Sequence, residues 1–313
     1  MGPLGPLART GLAGALACGV LVTAVGIGRY LTGGSDGGGH PPQGPYAALG
    51  DSFTSGPRIP DQTGEPAGCD RSSRNYPALV AKQLGINAAD FRDASCSAAT
   101  ITNLTTPQST DDGTNPPQLS ALTAATALVT IGIGGNDIGF STMVAKCVTS
   151  GALFKAAAGV TNISGQAPCK ERYASGDADA VARKIRTAGD HLARALNDVK
   201  HRAPEARIYI VGYPAILPAE GAGCGSDMPL APGDVTFLRE TERQLNTMLR
   251  DRAEAAGATY VDTFTPSIGH DACSAAATRW IEPLRPSSPA AAVHPNERGE
   301  RGMATAVLRA VGP

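Results

Sequence analysis

The chain has 313 residues, a formal net charge of −1 and an aromatic content of 4%. That length suffices for one large α/β domain with a real core, and the near-zero charge argues against nucleic acid or an anionic membrane surface as partner. No Walker loop, Cys-x-x-Cys pair or Cys/His cluster at ligand spacing is present, so neither a cofactor nor a metal is implied.

Residues 11–28 carry no charge and are bracketed by Arg9 and Arg29. They read as a targeting segment, long for a signal peptide's apolar region and just short of the roughly 20 residues that span a membrane. Residues 1–31 are therefore expected to be a signal peptide or a membrane anchor. Either way the rest of the chain is exported, as a secreted protein or one held at the outer face of the membrane. Residues 32–45, rich in Gly and Pro, read as a flexible linker, and 46–313 as one domain. Gly33-Gly34-Ser35-Asp36-Gly37 formally matches a nucleophile elbow, but no strand precedes it and no helix follows.

With Cys18 in the targeting segment set aside, six cysteines remain: Cys69, Cys96, Cys147, Cys169, Cys224 and Cys273. An even count in an exported chain argues for disulfides, and six cysteines allow fifteen pairings that sequence alone does not distinguish.

Strand-like runs lie at 46–50, 91–94, 127–133, 207–211 and 259–261. Between them, Val181, Ile185, Ala188, Leu192, Ala195 and Val199 recur at helical spacing up to Pro204, and Leu238, Leu245, Met248, Leu249 and Arg252 mark a second helix. Strands separated by helices imply a parallel sheet covered on both faces. Five strands in three α/β/α layers would be flavodoxin-like. Residues 54–76, 101–123, 140–178 and 213–233 read as loop-rich.

Three short motifs carry chemistry. The first strand stops at Gly50 and delivers Asp51-Ser52 at its carboxyl end, the edge where open α/β sheets bind ligands. A serine there is a nucleophile or simply a helix cap. Gly134-Gly135-Asn136-Asp137 follows the third strand; it half-mimics a dinucleotide fingerprint, but Asp137 occupies the third glycine position. His294-Pro295-Asn296 opens the last helical pattern, where a histidine in a turn is placed for function. Of the five histidines only His270 competes with it as a base.

Gly-Asp-Ser, Gly-Gly-Asn-Asp and His-Pro-Asn in this order resemble the motifs of the SGNH (GDSL) hydrolase superfamily, most closely its secreted actinobacterial lipases and esterases. The resemblance runs from Tyr46 to the C-terminus. It implies a flavodoxin-like catalytic domain with disulfide-stapled loops and sequential bridges Cys69–Cys96, Cys147–Cys169 and Cys224–Cys273. Ser52 would be the nucleophile and His294 the base. An oxyanion hole would combine the backbone N–H of Ser52, that of Ala98 and the side-chain amide of Asn136, with Asp51, Gly135 and Asp137 in support.

Two departures stand out. Many members place Asp three residues before the histidine, where this chain has Ala291. The resemblance suggests that a backbone carbonyl near Ala291 orients the imidazole, with Asp271 as the rival. Many members also read Cys-Ser-Gly-Ala where this chain has Cys96-Ser97-Ala98-Ala99, which is tolerable if the backbone there suits a Cβ.

The expected activity is hydrolysis of carboxylic esters, lipid or small-molecule, by a monomer. The alternatives are a carbohydrate deacetylase and a non-catalytic surface binding protein on the same scaffold. Trp280 either lines the cleft or fills the core.

Overall fold

In the computed structural model, the described residues are Gly2, 42–64, 68–158, 167–175, 179–219 and 224–312. Apart from Gly2 and residues 42–45, the targeting segment and linker lie outside them.

The five expected strands form, each within a residue of its expected bounds: β1 (Tyr46–Gly50), β2 (Phe91–Asp93), β5 (Leu128–Gly132), β6 (Arg207–Val211) and β7 (Thr259–Val261). A small antiparallel hairpin, β3 (Gln108–Thr110) and β4 (Gly113–Asn115), intervenes. The main sheet is parallel with order β2-β1-β5-β6-β7. Without the hairpin that is the flavodoxin-like order 2-1-3-4-5, whose switch point lies between β1 and β5.

Alternating residues feed two cores, because successive strand side chains point to opposite faces. Leu49, Val129, Ile131, Ile208 and Ile210 pack with Leu192, Leu196 and Val199 of α6 (Ala180–Arg202) and Leu238, Leu245 and Leu249 of α7 (Pro232–Ala255). Tyr46, Ala48, Tyr209, Val211 and Val261 pack with Tyr76 and Val80 of α2 (Tyr76–Gln83) and Met303, Val307 and Val311 of α8 (Glu297–Val311).

Residues 140–178 are not the loop expected from the sequence. They hold α4 (Phe140–Ala158) and α5 (Pro168–Ser175). Ser, Thr and Gly dilute the helix-forming signal of α4, and tertiary packing decides instead. Met143, Val144 and Cys147 are buried on one face, and Gly151 meets the backbone of 229–231 so closely that a Cβ would collide with it. The structure pairs Cys147 with Cys169, joining α4 to α5, and also Cys69 with Cys96 and Cys224 with Cys273.

The register aligns β1 and β5 from Tyr46 opposite Leu128 to Gly50 opposite Gly132, so both strands end level. Pairing continues past the strand, with Asp51 N–H donating to the Gly132 carbonyl at 2.9 Å and Cys96 N–H to the Gly50 carbonyl at 3.0 Å. Gln118 clamps the Gly50 residue from both sides: its Oε1 accepts the Gly50 N–H at 2.8 Å and its Nε2 donates to the Gly50 carbonyl at 2.9 Å. The chain needs glycine at 50 because a Cβ would strike Thr54 and the Gly132 carbonyl.

Candidate active site

Beyond Gly50 the chain turns directly into a four-residue helix, α1 (Ser52–Ser55), capped by Asp51, whose Oδ1 accepts the Phe53 N–H at 2.9 Å. Asp51, not Ser52, is thus the cap. As the first helical residue, Ser52 has a backbone N–H without an intrahelical acceptor. The Ser52 Oγ lies 2.8 Å from His294 Nε2, across 242 residues of sequence.

His294 belongs to the irregular segment between the bridge residues Ile281 and Pro295. Its Nδ1 is 2.8 Å from the Ala292 carbonyl oxygen. A carbonyl only accepts, so Nδ1 carries the proton and Nε2 presents its lone pair to the serine hydroxyl. The orienting carbonyl is therefore that of Ala292, one residue from the expected position. Asp271 instead accepts the Cys273 N–H at 2.9 Å in its own turn. Burial holds the His294 pKa below its ordinary 6.5, against the opposing pull of the Ala292 carbonyl. The imidazole packs on the Phe53 ring, centroids 4.9 Å apart.

The histidine loop is held by a residue that the sequence did not single out. Glu282 is fully buried; its backbone donates to the His294 carbonyl at 2.9 Å and accepts the Val293 N–H at 3.0 Å. Its carboxylate accepts Asn296 Nδ2 at 2.7 Å and the N–H groups of Ser287 and Ser288 at 2.7 and 3.3 Å. Burial pushes that carboxyl's pKa up, but these donors outweigh it and hold it below its ordinary value. Val293 adopts φ +62°, a left-handed conformation uncommon for a β-branched residue. His270, the competing base, bonds the Thr278 carbonyl through Nδ1 and stacks on Trp280 at 5.2 Å. Trp280 also packs against Gly302 of α8, leaving no room for a Cβ there, so it is a packing residue rather than a cleft wall.

The Gly134-Gly135-Asn136-Asp137 run forms the short helix α3 (Gly135–Ile138) at the end of β5. Asn136 Nδ2 donates one hydrogen to the Ala99 carbonyl at 2.9 Å, and the amide retains a second. Asp137 accepts the Ile101 N–H with both carboxylate oxygens, at 3.0 and 3.2 Å. Between these contacts the 96–99 turn closes through Ala99 N–H to the Cys96 carbonyl at 3.1 Å, with Ala98 at φ +62°. The Ala98 N–H carries no hydrogen bond among the described residues. The left-handed backbone there does not suit a Cβ.

A second residue missed in the sequence is Tyr213, from the loop after β6. Its hydroxyl donates to Asp51 Oδ2 at 2.5 Å and accepts the Gly135 N–H at 2.8 Å. Its place just past a strand's carboxyl end was the available signal. Burial pushes the Asp51 carboxyl up to about 7, despite the Tyr213 and Phe53 donors. A small apolar pocket lies beside Ser52 and Asn136, walled by Phe53, Phe140, Ile216 and Leu245.

The GDSL-like Lipase/Acylhydrolase family matches residues 48–301. Lipase 2 of Streptomyces coelicolor is 40% identical over 269 residues, covering 85% of each chain. Among solved structures, phospholipase A1 from Streptomyces albidoflavus NA297 superposes with a TM-score of 0.68 at 26% identity, covering 86% of this chain and 99% of that one. An extracellular lipase from Streptomyces rimosus gives a TM-score of 0.67 at 25% identity, covering 84% and 98%.

Proposed function

The chain belongs to the GDSL-like lipase/acylhydrolase family and is an ester hydrolase; on that premise we propose that Ser52 and His294 perform the hydrolysis as a dyad, on lipid or other long-chain acyl esters. Ser52 Oγ attacks the ester carbonyl carbon while His294 Nε2 takes the hydroxyl proton. The carbonyl oxygen, now anionic, is met by the Ser52 and Ala98 backbone N–H groups and the second hydrogen of the Asn136 amide. Collapse breaks the ester C–O bond, and His294 returns its proton to the departing alcohol. Water then attacks the acyl-enzyme with His294 again as base, freeing the acid and restoring the serine.

The observation that carries this reading is the chain of contacts from Ser52 Oγ to His294 Nε2 and from Nδ1 to the Ala292 carbonyl, each 2.8 Å. The apolar walls beside the serine suit the hydrocarbon of an acyl chain. The lipase and phospholipase names of its relatives point the same way. Three disulfides suit an oxidising compartment, and one relative is an extracellular lipase. Both support export of this chain, with residues 11–28 as its signal or anchor.

The test is labelling by a fluorophosphonate probe, with the adduct located by peptide mass. An adduct on Ser52, absent in Ser52→Ala, supports the nucleophile. A folded, disulfide-intact protein that takes no label refutes it and revives the non-catalytic binding protein. A series of p-nitrophenyl esters from acetate to palmitate then reads the chain-length preference.

A further inference from the structure

Three turns would have to agree in position for the proposed oxyanion hole to work. They follow β1 (Asp51-Ser52), β2 (Ser97-Ala98) and β5 (Gly135-Asn136), and each is meant to supply one donor. Such donors are effective only when held to within roughly 0.5 Å of productive geometry. The second and third turns are braced together, by Asn136 Nδ2 on the Ala99 carbonyl at 2.9 Å and the Asp137 carboxylate on the Ile101 N–H at 3.0 Å. The first and second are braced at the base, by Cys96 N–H on the Gly50 carbonyl at 3.0 Å. The first and third share a base contact as well, Asp51 N–H on the Gly132 carbonyl at 2.9 Å. Nearer the donors themselves, the described link between those two is one hydroxyl, that of Tyr213.

We propose that Tyr213 is a positioning residue of the oxyanion hole: its hydroxyl, between the Asp51 carboxylate and the Gly135 N–H, fixes the Ser52 donor relative to the Asn136 donor. The inference rests on the reading of Ser52 and Asn136 given above. Tyr213 is itself rigidly held. Its N–H donates to Asn246 Oδ1 at 2.8 Å and its carbonyl accepts Asn246 Nδ2 at 2.9 Å, from the buried face of α7. The preceding residue continues the sheet, with Gly212 N–H on the Val261 carbonyl at 3.0 Å. The ring meets Phe53 edge-on at 5.1 Å. Gly135 is fitted to it, since a Cβ there would stand 3.2 Å from the tyrosine hydroxyl and 3.3 Å from the ring. The brace is thus anchored in a third strand and a core helix and reaches both donor-bearing turns through a single atom.

The test compares four proteins in steady-state kinetics: the parent, Tyr213→Phe, Asn136→Ala and the double variant, with Ser52→Ala as control. The phenylalanine keeps the ring in the cleft wall, so KM should stay within about twofold, while kcat falls about 10- to 100-fold, the scale of a misplacement near 1 Å. In the Asn136→Ala background the same change should cost less than about threefold, because the donor it positions is gone. That conditional loss separates positioning from general weakening of the fold, which would slow both backgrounds equally. An equal loss in both, a change confined to KM, or a Tyr213→Phe rate equal to the parent overturns the proposal. Should Tyr213→Phe fail to fold, Asp51→Asn, which replaces the acceptor of the same hydroxyl, carries the same comparison and is judged by the same outcomes. A Ser52→Ala protein with undiminished turnover would refute the site itself; an inactive Ser52→Ala beside a parent-like Tyr213→Phe refutes only the brace.

Discussion

The two halves of the candidate site are built in opposite ways. The nucleophile half grows out of regular structure: Ser52 and Asn136 open short helices at the level ends of adjacent parallel strands. The histidine half is an irregular loop held by a buried carboxylate and a strained Val293. Their carboxyl groups make the contrast quantitative. Asp51 meets two hydrogen-bond donors and burial wins, lifting it to about 7. Glu282 meets four or more donors and they win, holding it below its ordinary 4.5. The balance between desolvation and hydrogen-bond donors differs at the two carboxyls and sets the direction in which each shifts.

If the strand ends position the oxyanion donors, removing one should hurt catalysis far more than stability. Asn136→Ala is expected to lower kcat by about 100- to 1,000-fold while the melting temperature shifts little; an unchanged kcat would remove Asn136 from the site. The loop half should respond first to pH. His294 works as a neutral base, so activity falls as pH drops through its pKa, about tenfold per unit beyond it. Burial lowers that pKa, which puts the histidine's acid limb of kcat/KM below 6.5; a limb midpoint at 7 or above that persists in Asp51→Asn contradicts the packing around the ring.

Glu282→Ala should loosen the loop while leaving β1 and β5 untouched. It strips acceptors from the buried Asn296 amide and from Ser287 and Ser288, at a cost of about 1–3 kcal/mol for each unsatisfied donor. Thermal unfolding should therefore move down by several degrees, with a smaller loss of kcat than for Asn136→Ala. A carboxyl held below its unfolded value stabilises above about pH 4.5 and loses that contribution as pH falls through its folded pKa. Asp51, raised to about 7, does the reverse, and its contribution fades between about 3.8 and 7 as pH rises. The smallest effect belongs to the Ala98 turn. Ala98→Gly relieves a left-handed residue, worth about 1 kcal/mol, and should raise the melting temperature slightly with kcat retained; a lower melting temperature would argue against strain there.

The same contrast explains how much of the molecule is legible in the sequence. Ser52 and Asn136 could be read because a strand ending in glycine is a local pattern, and the strand bounds follow from short apolar runs. The amphipathic stripes of α6 and α7 are equally local. Helix α4 was missed because its stability comes from Gly151 packing on a distant backbone and from a disulfide, neither visible as periodicity. His294 was legible as a residue, and the resemblance put a backbone carbonyl near Ala291 behind it, where the structure has that of Ala292; the clamp that holds the loop was not legible. The Tyr213 hydroxyl acts between segments far apart in the chain, 162 positions from Asp51, whereas the Ala292 carbonyl lies two residues from the ring it meets and the Glu282 carboxylate works within one irregular loop that has no periodicity to read. Local sequence carries no trace of such pairs beyond a polar residue at a strand's carboxyl end.

A histidine that works with a backbone carbonyl and no carboxylate is distinguished by kcat/KM for Asp271→Asn and His294→Ala beside the parent, on one ester at one pH. Asp271→Asn is expected to stay within about threefold of the parent while His294→Ala loses about 1,000-fold or more. A loss of several thousand-fold in Asp271→Asn would place a charged acid behind the histidine and contradict the dyad.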